Sequence, residues 1–245
     1  MENSDRDLLK KTSQQAYENV MTDKLTQTIE DYLKVIYEIT LTSERANTNQ
    51  IAEAMNITPA SVTGMIKRLS KNDPPLVDYQ SHHGVILTDT GLLKALEVIR
   101  HHRLIEMFLH QILDYKWDEV HAEADILEHS ISEELEERIA IVLGDPTHDP
   151  HGDPIPTRDL KLPSTRWIQL STVTSEQKAI IQRVNDSSPE LLRYLSQIGL
   201  TPNTEITVLR YSPFDKNLEI QVSEREKSIV IGPDISRQIY VRIIS

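Results

Sequence analysis

Apolar residues recur at helical spacing from Thr26 onward, and Ile29, Leu33, Ile36 and Tyr37 share one face of a first helix. Thr48 stands where it can cap a short helix through Met55, and Asn56–Ile57–Thr58 reads as a turn. Thr58 with Pro59 opens the next helix, which runs to about Ser70 with Val62, Met65, Ile66 and Leu69 facing inward. Asn72–Asp73–Pro74–Pro75 breaks it. Leu76–Tyr79 and Val85–Thr88 then read as the strands of a hairpin around Ser81–His82–His83–Gly84. A long helix is predicted from Leu92 to about Leu113, and a second from Trp117–Asp118 to about Leu143, ended by Gly144–Asp145–Pro146. Residues 146–166 are dense in turn chemistry and read as a linker. Beyond it the pattern predicts a helix over Ser175–Val184 and another after Pro189. Short alternating segments follow at Glu205–Leu209, Leu218–Val222, Ser228–Ile231 and Ile239–Ile244, a spacing that suits a small closed barrel. Residues 1–21 are polar without a sustained period and read as a loose extension or a short helix.

Helix, short helix, turn, helix, hairpin is the element order of a winged helix-turn-helix, whose helix after the turn enters the DNA major groove. Thr58, Ala60, Ser61, Thr63, Gly64, Lys67 and Arg68 suit that role, with small groups near base edges and then cations for phosphates. The same three-helix order also occurs as a plain packing module with a solvated polar face.

Composition sharpens this picture. No apolar run approaches the ~18 residues of a membrane span, and the first residues lack a signal-peptide core, so a cytoplasmic protein is expected. The chain has no cysteine, which excludes disulfides and thiolate chemistry. Its net charge of −12 argues against simple electrostatic binding to nucleic acid. That charge is concentrated: residues 101–145 carry Arg103, Lys116 and Arg138 against twelve acids, a local −9. A segment so acidic faces water, binds a cation, or both.

Within that segment His121, Asp125, Glu128 and His129 follow one another at i, i+4, i+7 and i+8, inside a sector of about 100° of one helix. Val120, Ala124, Leu127, Ile131 and Leu135 form a separate apolar stripe beside them. On the preceding helix His102 and Glu106 are also i, i+4. Two antiparallel helices would bring six nitrogen and oxygen ligands together, a set suited to a divalent metal; a solvated acidic face is the competing account.

Several motifs occur in order: Thr28–Ile29–Glu30–Asp31–Tyr32–Leu33, Ala60–Ser61–Val62–Thr63, His101–His102–Arg103–Leu104 with Glu106, Val120–His121–Ala122–Glu123–Ala124–Asp125 with Glu128–His129, and Pro150–His151–Gly152–Asp153–Pro154–Ile155–Pro156. Together they resemble the diphtheria-toxin-repressor family of metal-dependent transcriptional regulators over roughly residues 22–160. The C-terminal part looks like the SH3-like barrel of its longer members. The fold this implies is mainly α with small β. Residues 1–21 would be an extension, 22–91 a winged helix-turn-helix, 92–145 a helical dimerisation and metal-binding domain, 146–166 a linker and 167–245 an SH3-like domain.

The resemblance implies one metal site from Asp31, Asp125, Glu128 and His129, and a second from His102, Glu106 and His121. Longer members complete the second from the C-terminal domain; Glu190 is the candidate, with Asp186 next, while His148 and His151 are expected to be turn residues. Iron-responsive members carry Met and Cys where this chain has Asp31 and Asp125, so Mn²⁺ is the expected cofactor and Fe²⁺ the alternative. Lys34 stands where short manganese regulators have a further acid, which favours the His102–Glu106–His121 group as second site. The implied protein is a homodimeric repressor of metal-uptake genes on a palindromic double-stranded DNA operator. Leu93, Leu96, Leu109 and Ile112 are candidates for the dimer surface. A metal-independent winged-helix regulator and a metallohydrolase are the alternatives. The second lacks His-Glu-x-x-His.

Overall fold

A computed structural model describes residues 25–223 and 225–244. The extension expected at residues 1–21 lies outside the described residues. The chain divides into two compact units at Ile99/Arg100.

In the N-terminal unit, α1 (Gln27–Thr40) buries Ile29, Tyr32, Leu33, Ile36 and Tyr37, the stripe its periodicity marks. The short helix α2 (Thr48–Ala54) is capped one residue earlier than the sequence suggests. Asn47 accepts from the backbone of Asn49 and Gln50, and the Gln50 side chain returns the bond to Asn47 N–H. After a turn with Asn56 at positive φ, α3 (Pro59–Leu69) starts under a Thr58 cap that accepts from Ser61 N–H. It buries Val62, Ile66 and Leu69; Met65 is only half-buried. Strands β1 (Val77–Gln80) and β2 (Gly84–Leu87) form the antiparallel wing. A bridge from Ala46 to Val85 fastens the wing's root. Gly84 is required there: its φ is +98° and a Cβ would lie 2.6 Å from the Ala46 carbonyl.

The division between the units falls within the long helix α4 (Asp89–Ile112). The single helix expected over 117–143 is two, α5 (Val120–Leu127) and α6 (Glu133–Val142). Ser132 accepts from Leu135 N–H and starts a new helix, so the local cap overrides the continuous apolar stripe. Leu104 and Met107 of α4 pack on Ile139, Ala140 and Ile155, and Ile105 and Leu109 pack on Val120 and Ala124. Leu109, in the second of these clusters, and Leu96 were read as dimer-surface residues and are buried; Ile112 is exposed.

The C-terminal sheet runs β3 (Ile168–Gln169), β8 (Ile239–Ile243), β4 (Lys178–Val184), β5 (Glu205–Tyr211), β6 (Leu218–Val222) and β7 (Ile229–Ile231), antiparallel throughout. A short 3₁₀ turn, Leu170–Thr172, follows β3; α7 (Pro189–Ile198) and α8 (Pro233–Ser236) complete the unit. Two expectations fail here. The sheet is open, not an SH3-like barrel: β3 and β7 are its two edges, and among the described residues no ladder joins them. With two and three residues, these edge strands offer too little backbone to close a barrel. The helix expected over Ser175–Val184 is strand β4, whose Ala179, Ile181 and Val184 enter the sheet's core. Trp117, from the α4–α5 connection, joins that same core. Among the described residues no helix is long and apolar enough to cross a membrane.

Candidate metal centre

Four donors on helices and four outside them converge in the C-terminal unit. His102 and Glu106 lie one turn apart on α4, and His121 on α5 faces them, as helical spacing predicts. His102 Nε2 is 3.0 Å from Glu106 Oε1 and 3.1 Å from His121 Nδ1, and His121 Nδ1 is 3.2 Å from the same Glu106 oxygen. The other nitrogen of His102 meets Glu128 Oε2 at 2.5 Å and Asp125 Oδ1 at 3.4 Å. Glu128 caps the C-terminus of α5, and His129 follows it beyond the helix, its Nε2 3.3 Å from Glu128 Oε1. Glu128 keeps helical backbone geometry as the cap of α5, and so shares His102 Nδ1 with Asp125 one turn before it. His102 is a hub between two donor groups, His102–Glu106–His121 and His102–Asp125–Glu128.

A third group joins Glu106 to Asp186, the second candidate after Glu190, and to His151, which was expected to be a turn residue. His151 is completely buried, with Nδ1 3.8 Å from Glu106 Oε2, 3.9 Å from Asp186 Oδ2 and 4.0 Å from Asp149 Oδ1. Asp186 Oδ2 also lies 3.6 Å from His121 Nδ1. The place given to Glu190 is therefore filled by Asp186. Glu190, 80% exposed at the start of α7, turns to Ser188 and Arg193. His148 stays outside, beside Thr147 and the Trp167 ring. The one sequence signal for His151 was its chemistry, an imidazole between two aspartates in a Gly/Pro turn; the turn reading absorbed it.

The geometry fits a cation. Glu106 Oε2 and His151 Nδ1 are enclosed and have no hydrogen-bond partner. Two ligands on one ion, each at about 2.0–2.2 Å, stand some 3–4 Å apart. His151 Nε2–H donates to the Trp117 carbonyl at 2.7 Å, which leaves Nδ1 with the lone pair a metal needs.

The electrostatics agree. Burial pushes the Glu106 carboxyl up, but the imidazoles of His102, His121 and His151 outweigh it and hold it well below the usual range. Burial lowers the His121 and His151 pKa values, yet the facing carboxylates outweigh it; His151 reaches about 10 through Glu106, Asp149 and Asp186. Asp149 is raised to about 8 by burial and by the charges of Glu106 and Asp153. The carboxylates that raise these imidazoles would equally favour a cation, so protons and a cation compete for the same donors.

In the N-terminal unit Asp31 lies on α1, half-buried. On α3 and its cap, Thr58, Ala60, Ser61, Gly64, Lys67 and Arg68 are exposed and Thr63 is half-buried, its hydroxyl donating to Pro59 O. This is the presentation a recognition helix requires.

The fold and site together define a winged-helix DNA-binding protein carrying a nitrogen–oxygen metal centre. The profile of the iron dependent repressor N-terminal DNA binding domain matches residues 24–85, that of the iron dependent repressor metal binding and dimerisation domain residues 88–157, and that of the FeoA domain residues 168–243. The iron-dependent repressor IdeR of Mycobacterium tuberculosis (strain ATCC 25618 / H37Rv) is 35% identical over 201 residues, 76% of this chain and 85% of the relative. The diphtheria toxin repressor of Corynebacterium diphtheriae is 27% identical over 227 residues, 89% of this chain and 97% of the relative. A solved manganese-dependent transcriptional repressor in complex with manganese shares 34% identity and a TM-score of 0.82, covering 88% of this chain and 100% of its own. The chain belongs to the diphtheria-toxin-repressor and IdeR family of metal-dependent transcriptional repressors. It is a DNA-binding regulator and not an enzyme, which removes the metallohydrolase alternative.

Proposed function

We propose that this protein is a cytoplasmic, manganese-responsive repressor of metal-uptake genes that binds a palindromic operator as a dimer when loaded. One observation carries the choice of metal: every donor in the three groups is a carboxylate oxygen or an imidazole nitrogen, with no sulfur among them. Oxygen and imidazole ligands suit Mn²⁺, whereas the metals later in the stability series gain more from sulfur. The solved relative with manganese bound supports the same choice. Glu106, His151, Asp186 and His121 are proposed for one ion, and Asp125, Glu128 and His129 with His102 for another. Asp31 is the ligand proposed for α1, on the resemblance alone. The ion supplies positive charge where the chain's carboxylates would otherwise repel one another. His102, shared between the groups, links their occupancy, while Trp117 orients His151.

For DNA, residues 22–91 are proposed to read the operator and 92–145 to dimerise, with 146–166 as linker and 167–245 as the C-terminal domain. Thr58, Ala60, Ser61, Thr63 and Gly64 are the proposed base-proximal positions on α3, and Lys67 and Arg68 the phosphate contacts. Exposed Ile112, Ile126, Leu135, Ile141 and Val142 are proposed to be covered by the second copy. Retention of a random DNA pool with Mn²⁺, Fe²⁺, Zn²⁺ or chelator tests the reading. Selection of one palindrome with Mn²⁺, abolished by chelator, is expected; equal retention without metal overturns it.

A further inference from the structure

We infer that Asp153, gripped between Arg103 and Arg183, is a positioning residue that sets the His151 loop and Asp186 against Glu106. The bridge is built from three parts of the unit. Asp153 is buried; its Oδ2 accepts from Arg183 Nε at 2.7 Å and its Oδ1 from Arg103 at 3.3 Å. Arg103, one residue after His102 on α4, also donates to Pro154 O at 2.6 Å and lies 3.7 Å from Asp149 Oδ2. Asp149 Oδ1 accepts from the backbone N–H of both His151 and Asp153, which closes the loop on itself.

Strand β4 supplies the other side. Its pairing with β8 shifts register between Ile181 and Arg183. In a regular strand Arg183 would share the core-facing side of Ile181; the bulge turns it out and sends Val184 inward. The guanidinium then lies 4.9 Å over the Tyr240 ring and reaches Asp153. Next along the strand, Val184 N–H donates to His151 O at 2.9 Å. Gly152 completes the fit: its φ is +94°, and a Cβ would stand 1.9 Å from the Gln182 carbonyl. Asp186 follows Arg183 by three residues, so the segment that carries Arg183 to Asp153 also carries Asp186 to His151. Asp153 belongs to none of the donor groups, both its oxygens being held by the two guanidiniums, which themselves have no lone pair to give; the three act through the donors they position.

This inference rests on reading Glu106, His151 and Asp186 as a metal centre, so the test includes a control for that reading. Mn²⁺ titrations of the full chain, followed by calorimetry and by the electron spin resonance of free Mn²⁺, compare wild type with His151→Gln, Asp153→Asn, Arg183→Gln and Arg183→Lys. Asp153→Asn and Arg183→Gln should each weaken one binding event about 10- to 100-fold, the range for a lost outer-shell partner. Arg183→Lys should recover part of the loss, because charge is kept and only the fork is lost. Adding Arg183→Gln to His151→Gln should cost nothing further, since both act on one site; a general destabilisation would add. If His151→Gln binds Mn²⁺ as wild type does, the metal-centre reading fails. If His151→Gln loses binding while Asp153→Asn and Arg183→Gln keep it, or if the losses add, the positioning role alone fails. Should Arg183→Gln not fold, Asp153→Asn and Arg183→Lys decide the same question.

Discussion

His151 donates through Nε2 to the carbonyl of Trp117, and that one bond determines which ring nitrogen faces Glu106. A residue in a turn is thereby oriented by the backbone of a distant helix connection. Because Trp117 itself sits in the core of the C-terminal sheet, the ring's orientation depends on that sheet being formed.

Replacing His151 with Gln removes a proposed ligand while leaving a polar side chain in the space. Mn²⁺ affinity should drop by at least about 10- to 100-fold, since losing even an outer-sphere partner costs that much. Equilibrium dialysis at fixed pH checks it, and an unaltered dissociation constant would exclude His151 from the centre.

Asp125→Ala should abolish metal-dependent operator binding and leave the dimer intact. Asp125 is half-exposed, and its oxygens face His102 at 3.4 Å and His121 at 3.6 Å, so its loss removes a donor without opening a core cavity. Mobility-shift titrations with Mn²⁺, paired with sedimentation, separate the two effects. Operator binding with the wild-type metal requirement would remove Asp125 from the site.

Metal and protons compete at His121 and His151, both raised above the ordinary imidazole value, His151 to about 10. At neutral pH the His151 proton must leave before its nitrogen can bind a metal. Apparent Mn²⁺ affinity should therefore climb with pH from about 6 to beyond 8, without the plateau near 7.5 that a free imidazole would give. Calorimetry in two buffers of different ionisation enthalpy should detect release of about one proton or more per ion. No release would refute the competition.

The same shifts bear on stability with the opposite sign. A folded pKa above the unfolded value contributes stability that is complete below about 6.5 and is lost as pH rises through the folded value. With chelator present, the melting temperature should fall between about pH 6.5 and 10. Saturating Mn²⁺ should largely remove that slope, and parallel curves with and without metal would count against the assignment.

Lys67→Gln should weaken operator binding almost uniformly across sequences, and lower the slope of log affinity against log salt by about one. Lys67 is exposed on α3 and belongs to the last turn of that helix. A change confined to one base position, with the salt slope unmoved, would show that it reads bases instead.

Local pattern was enough to reveal α1, the α2–turn–α3 order, the wing and α7, because caps, turn residues and apolar periods act within a few positions. It also revealed the pair His102–Glu106 on one helix and the pair His121–Asp125 on the next, since i, i+4 spacing is a short-range fact; the resemblance joined His121 to the first pair. The break at Ser132 and the strand over Lys178–Val184 were hidden for a shared reason. An apolar stripe can continue across a cap, and an isoleucine-rich segment serves either period until a sheet claims it. The open sheet depended on edge strands too short to pair, which strand spacing does not record. The third donor group depended on folding in the strictest sense. His151 and Asp186 reach Glu106 only because Trp117, the loop around Gly152 and the β4 bulge bring three separate segments together. The sequence by itself determined the donor types and the helix–turn–helix order; tertiary packing alone decided which donors meet, since convergence of distant segments leaves no local signal.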